Sequence, residues 1–111
     1  PMIIKKTAAS LFTFPLTNGC TREGLLLRIR DQEDKEARAE ISPLPIFSRE
    51  NVDDCFQELQ EKEKAILSIC WTLGNWQKEI LNLHLLPSVA FGLESAVLTL
   101  LSPVSSWKVP A

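Results

Sequence analysis

The sequence has no long hydrophobic run, no excess of one charge and a single histidine. Its longest mostly apolar stretch, Leu93 to Val104, is broken by Glu94, Ser95, Thr99, Ser102 and Pro103. Nothing reaches the roughly 18 to 20 apolar residues that a bilayer span requires, so no membrane role is expected. Lys5 and Lys6 are not followed by a long apolar segment, and a signal peptide is not expected either. With 12 Lys and Arg against 14 Asp and Glu, the formal net charge is −2. That balance lacks the basic excess or stripe of a nucleic-acid binder, and nucleic acid is not expected among the partners. Cys20, Cys55 and Cys70 are odd in number, widely spaced and without a Cys-x-x-Cys motif. They read as free thiols in a reducing, cytoplasmic setting. Cys55 and Cys70 fall on apolar faces of helical patterns, where a free cysteine behaves as a small hydrophobe.

Groups that carry chemistry are equally sparse. A Ser/His/Asp or Cys/His site would have to use His84, which sits in Leu83-His84-Leu85-Leu86 with no motif around it and reads as structural. Zinc takes about four locally spaced ligands, and that pattern is missing. Asp53-Asp54 and the acidic run from Asp31 to Glu36 lack the ligand spacing and glycine of a calcium loop; they read as helix-start and turn chemistry. The four glycines form no phosphate cradle. Gly19 and Gly24 bracket a turn, Gly74 reads as a helix cap, and Gly92 lies inside the last helical pattern. Lys62-Glu63-Lys64 would put two lysines on one face of a strand. Its flanks are helical in pattern, and on a helix positions i and i+2 diverge by about 200°. With Glu58 and Lys62 as an i, i+4 pair, this segment reads as a solvated helix face.

What is present is an ordinary globular composition, 45% apolar and 23% charged in 111 residues. It suits one domain and falls far short of the about 250 residues of a (β/α)8 barrel. Ile3 to Phe14 reads as a first strand, ended by Pro15, which has no N–H to donate. Leu16 to Gly24 reads as a polar connection carrying the turn dipeptide Asn18-Gly19. Gly24 to Arg30 alternates with Leu25, Leu27 and Ile29 on one face, and Glu36 to Ile41 alternates again. Short turns between three sequential strands predict an antiparallel meander. Ser42-Pro43-Leu44-Pro45-Ile46-Phe47-Ser48 contains two prolines that exclude helix and central strand and reads as a stiff, apolar loop. Helical periodicity follows: Val52, Cys55, Phe56 and Leu59 after a candidate N-cap at Ser48. It continues through Ile66, Ile69, Cys70 and Leu73 to Gly74-Asn75, as one helix or two. A further pattern spans Trp76 to Leu86 and ends at Pro87. The last runs from a candidate N-cap at Ser88 to Pro103.

Three stretches, taken in order, resemble one family. Thr21-Arg22-Glu23-Gly24-Leu25-Leu26-Leu27-Arg28 is similar to the strand after a mobile cap loop. Ala39-Glu40-Ile41-Ser42-Pro43-Leu44-Pro45-Ile46-Phe47-Ser48 resembles a GEISPLPGFS signature, with Ala39 and Ile46 where glycine is common. Pro87-Ser88-Val89-Ala90-Phe91-Gly92-Leu93-Glu94-Ser95-Ala96 resembles a PSVAFGLESA helix start. Together they resemble the N-terminal capping domain of the o-succinylbenzoate synthases, enolase-superfamily lyases of menaquinone biosynthesis related to mandelate racemase and muconate lactonizing enzyme. The resemblance implies an α+β fold, a three-stranded antiparallel β-meander followed by three or four helices. It implies a capping domain over residues 1–102 and a connection over 103–111 toward a (β/α)8 barrel that this chain lacks.

The family reaction is a Mg²⁺-assisted dehydration to 2-succinylbenzoate, with Mg²⁺ and the catalytic residues in the barrel. None of those residues maps here, so the resemblance implies no catalytic residue, no metal ligand and no cofactor in this chain, and no activity alone. Lys62 and Lys64 are not the family's Lys-x-Lys pair. By position, the substrate-enclosing loops are Leu16–Gly24, with Asn18, Thr21 and Arg22, and Ser42–Ser48, with Ser42, Pro43, Leu44, Pro45, Ile46 and Phe47. Such loops suit a lid that excludes water. Two readings stand for Arg22, a contact to a substrate carboxylate or a solvated turn. Two also stand for Leu44, Ile46 and Phe47, lining a pocket or packing on the domain's own helices. The expected partner is the missing barrel. The alternative is a free-standing interaction module that self-associates through the surface a barrel would cover.

Overall fold

The computed structural model describes residues 1–42 and 51–102. Three long strands come first: β1 (Met2–Pro15), β2 (Thr21–Asp31) and β3 (Glu36–Ile41). Then follow α1 (Val52–Ser68), a two-residue strand β4 (Cys70–Trp71), α2 (Trp76–Asn82) and α3 (Pro87–Leu101). The meander is the expected one, and three helices follow it. The two-residue β4 is an addition, pairing antiparallel with Met2 and Ile3 to give the order β3-β2-β1-β4.

The alternation in β2 and β3 sorts their side chains between two environments, because successive side chains point to opposite faces. Leu25, Leu27 and Ile29 of β2 and Ala37, Ala39 and Ile41 of β3 are buried. Against them pack Val52, Cys55, Leu59 and Ile66 of α1 and Val89, Leu93, Ala96, Val97 and Leu100 of α3. The two helices therefore share one face of the sheet, with α3 over β3 and α1 over β1. β1 changes phase on the way. Ile4 stands opposite Asp31 and Lys6 opposite Arg30, a bulge at Lys5. An extra residue flips every later side chain to the other face. Met2 and Ile4 are buried before the bulge, and Ala9 packs on the core after it. A single period-two reading of Ile3 to Phe14 misses this switch.

The helix boundaries differ from the expectation, each for a local reason. The N-cap of α1 is Asn51, whereas Ser48 lies outside the described residues. Asn51 Oδ1 accepts from the Asp54 N–H at 2.9 Å, and Asp54 Oδ2 accepts from the Asn51 N–H at 3.2 Å. That reciprocal capping box satisfies two donors that a helix start otherwise leaves unpaired. α1 is one helix and stops at Ser68, so Ile69, Cys70 and Leu73 are not on it. Cys70 is exposed on β4, not buried on a helix, while Cys55 is buried and Cys20 exposed; none of the three forms a disulfide. Gly74 caps nothing: Thr72 and Asn75 hold that turn by exchanging side-chain bonds to each other's backbone N–H, at 2.8 and 3.1 Å.

α2 stops at Asn82 rather than at Leu86. Exposed His84 follows in the left-handed region at φ 53°, donating its N–H to Leu81 O at 3.2 Å. Pro87 does not end a helix but begins one. It occupies the first turn of α3, where a missing N–H costs nothing. Leu86, not Ser88, is therefore the N-cap, and its N–H is held by Glu58 Oε1 of α1 at 2.7 Å. Glu58 is thus tied to another helix and is not part of a purely solvated face. Among the described residues, no helix is long and apolar enough to cross a membrane.

Candidate functional site

The residues singled out for substrate enclosure meet at one end of the sheet, where the β1–β2 hairpin turns and β3 ends. The hairpin connection is shorter than expected. β1 ends at Pro15 and β2 begins at Thr21, so Thr21, Arg22 and Gly24 belong to a strand and not to a loop. The remaining turn is closed by its own hydrogen bonds. Leu16 N–H donates to Cys20 O at 2.7 Å and Gly19 N–H to Leu16 O at 3.2 Å. Asn18 Oδ1 accepts from the Cys20 N–H at 3.1 Å. Gly19 takes φ +83°, a region in which a side chain is strained. Asn18 therefore shapes the turn rather than pointing freely outward.

Arg22 is half-buried in β2 and is not a solvated turn arginine. Its Nη2 donates to the carbonyl oxygen of Ser42 at 3.1 Å. That bond joins the hairpin to the residue at which the described chain leaves β3. Ser42 in turn donates its hydroxyl to Glu40 Oε1 at 2.8 Å. Gly24 lies beneath both. A Cβ there would come within 2.7 Å of Phe12 Cζ and 2.9 Å of Ser42 Oγ, so only glycine leaves room for the ring and the hydroxyl. Thr21 is exposed opposite Pro15. Asn18, Thr21, Arg22 and Ser42 are thus gathered at one edge of the domain. Pro43, Leu44, Pro45, Ile46 and Phe47 lie outside the described residues.

Reading along the chain missed the other side of this edge. An open groove of about 370 Å³ runs between β3 and the start of α3, lined by Glu40, Ile41, Ser42, Pro87, Ser88 and Phe91. Phe91 is 68% exposed, an unusual state for a large aromatic side chain. The one local signal was Gly24 inside an alternating strand, which marks a close approach of other atoms. The pairing of Ser42 with Pro87 and Phe91 has no local signal, because the two segments are far apart in sequence.

Chemically, this edge supplies a guanidinium bonded to a backbone carbonyl, the hydroxyls of Thr21, Ser42 and Ser88, the Glu40 carboxylate and an apolar wall. It can shape and exclude. Among the described residues, no group of three His, Cys, Asp or Glu side chains stands close enough to hold a metal ion. His84, Lys62 and Lys64 lie on α1 or after α2 and do not belong to this edge.

Comparison with known proteins agrees with this architecture. The family model described as MenC, N-terminal domain, matches residues 16–100. The o-succinylbenzoate synthase of Escherichia coli (strain SMS-3-5) is 40% identical over 77 residues, which covers 69% of this chain and 21% of that protein. The o-succinylbenzoate synthase of Citrobacter koseri is 42% identical over the same length and share. The chain thus spans about a fifth of the length of the curated relatives it matches. Among solved structures, a mandelate racemase/muconate lactonizing protein from Herpetosiphon aurantiacus superposes with a TM-score of 0.79 at 20% identity, over 97% of this chain and 31% of that one. The L-Ala-D/L-Glu epimerase from Bacillus subtilis superposes with a TM-score of 0.71 at 18% identity, over 86% of this chain and 30% of that one. At such identities these two share the fold.

Proposed function

The chain belongs to the MenC N-terminal domain family, and on that premise we propose that it is the substrate-capping domain of an o-succinylbenzoate synthase, without dehydration activity of its own. The observation that carries this reading is the bond from Arg22 to Ser42 O. It ties the hairpin turn and the exit of β3 into one edge, and a lid that excludes water works only if its parts move together. In this reading Asn18, Thr21, Arg22 and Ser42, with Pro43 to Phe47, form the rim over a (β/α)8 barrel. That barrel supplies the Mg²⁺ site and the proton-transferring residues of a cytoplasmic lyase in menaquinone biosynthesis. Residues 1–102 are the cap and residues 103–111 the connection toward the barrel.

The exposed ring of Phe91 beside the rim favours a second reading, in which this surface is covered by another copy of the chain. One pair of measurements separates the two. The purified chain is assayed for formation of 2-succinylbenzoate in the presence of Mg²⁺, alone and after mixing with the barrel portion of the Escherichia coli relative. The cap reading expects no turnover alone and turnover in the mixture. Turnover by the chain alone overturns it. Concentration-dependent dimers that persist with the barrel portion present favour the second reading.

A further inference from the structure

The face of the sheet away from the helices carries an unbalanced set of charges. β1 contributes Lys6, β2 contributes Arg28 and Arg30, and β3 contributes Arg38 with two carboxylates, Glu36 and Glu40, the latter accepting from the Ser42 hydroxyl. The register places like charges side by side. Lys6 stands directly opposite Arg30, and Arg28 directly opposite Arg38. Like charges facing one another across a ladder are destabilising. One carboxylate answers part of this. Glu36 lies 3.2 Å from Arg30 Nη2 and 3.0 Å from Arg38 Nε. It is ion-paired twice and attracts Arg28 at longer range, while Lys6 and Arg28 make no close ion pair among the described residues. The Nε of Arg28 is moreover buried with no acceptor, which in a folded protein calls for an explanation.

These residues line a groove. Lys6, Arg28, Arg30 and Glu36 surround a recess of about 250 Å³ with Ala8 among its lining residues. The small side chain of Ala8, which stands opposite Arg28, keeps that recess open. We propose that this groove is a binding site for a small doubly charged oxyanion of the phosphate-monoester class, held by Lys6, Arg28 and Arg30. A guanidinium suits two oxygens of one phosphate, and an ammonium suits a third as a point charge. The ligand also accounts for the placement: a dianion between Lys6, Arg28 and Arg30 turns mutual repulsion into shared attraction. The site lies away from the rim formed by Arg22 and Ser42, and it stands or falls independently of the capping function.

The test uses the 111-residue chain and inorganic phosphate, titrated by calorimetry at constant ionic strength with chloride as the balancing anion. Saturable binding is expected for the parent chain. Arg28→Gln is expected to weaken it by about tenfold or more, as the loss of one charge-assisted contact implies. Lys64→Gln, on the exposed face of α1, is expected to leave it unchanged. Thermal unfolding keeps the test decisive if calorimetric heats are small. Without phosphate, Arg28→Gln is expected to melt no lower than the parent, because repulsion from Arg38 is gone; with phosphate, the parent is expected to melt higher. Absence of saturation, equal binding by Arg28→Gln, or a melting difference unmoved by phosphate would overturn the proposal. Binding of a poly-glutamate peptide without binding of phosphate would overturn it too, in favour of an acidic protein partner.

Discussion

Gly92 of α3 approaches Ile41 of β3 so closely that a Cβ on it would lie 2.6 Å from Ile41 Cγ1. Both residues are buried, and this contact sets how near α3 lies to the sheet. Gly92→Ala gains about 1 kcal/mol of helix propensity but overpacks the core, at a cost of about 1–3 kcal/mol. Net destabilisation by about 1 kcal/mol is expected, read from the midpoint of urea unfolding with an unchanged slope. A stabilised variant would mean that Ile41 yields without strain.

Glu58 reaches across from α1 to the N–H of Leu86, the N-cap residue of α3. Removing that acceptor in Glu58→Ala should cost about 1–2 kcal/mol, since a hydrogen bond to a charged group contributes about 1.5–3 kcal/mol and this one is only half-buried. Glu58→Gln keeps an acceptor and should lose less. The Leu86 amide should exchange with solvent faster in the alanine variant, while amides at the centre of α1 should keep their protection.

Arg22→Ala should release Ser42 without unfolding the sheet. The hydrogen bond to the Ser42 carbonyl is lost, worth about 1 kcal/mol. Amide exchange should rise at the ends of β2 and β3 and stay unchanged in α1. Uniform loss of protection would show that Arg22 holds the whole sheet rather than its edge.

Acid should weaken the exposed ion pairs of Glu36 and Asp34. The guanidinium groups of Arg38 and Arg30 hold Glu36 below its ordinary value, and Lys5 holds Asp34 below its own. A carboxyl group whose folded value is depressed adds stability that is fully present above its unfolded value. That contribution is lost as pH falls through the folded value. Stability should therefore drop below about pH 4, near the unperturbed range of carboxyl groups. In Glu36→Gln and Asp34→Asn, part of this slope should disappear, with little change at neutral pH because both pairs are exposed. Unfolding titrations of the three chains between neutral and acid pH measure it.

Thiol chemistry should divide the cysteines two to one. Cys20 and Cys70 are exposed and Cys55 is buried, so two equivalents should react quickly with an aromatic disulfide reagent in the native protein. The third should react only on unfolding. Three fast equivalents would mean that α1 opens readily from the sheet.

Much of this architecture was written in local pattern. The alternation of Leu25, Leu27 and Ile29, and of Ala37, Ala39 and Ile41, marked two strands and their buried face. The i, i+3, i+4 spacing of Val52, Cys55, Phe56 and Leu59 marked α1. The bulge at Lys5 was not legible, because an inserted residue looks like ordinary noise in a period-two pattern. The helical patterns run past the true helix boundaries at Leu73, Leu86 and Ser88. There apolar residues continue a helical spacing, but Asn75, His84 and Pro87 set the backbone. At the rim, Asn18 and Ser42 were found from turn chemistry and resemblance, while Phe12, Glu40 and Phe91 were not, since nothing adjacent in the chain announces them.

The sequence by itself determined the class of fold, the buried faces of the strands and the scarcity of catalytic groups, because these depend on periodicity and residue type. Tertiary structure alone decided that Arg22 bonds to Ser42, that Glu58 holds the N–H of the residue before another helix, and that Lys6, Arg28 and Arg30 share one groove. Those relationships depend on strand register and on the distance between helix and sheet, and both are set by packing among residues far apart in the chain. The lack of long hydrophobic runs agrees with the absence, among the described residues, of a helix long and apolar enough to cross a membrane. An even overall charge did not reveal that one sheet face gathers its cations.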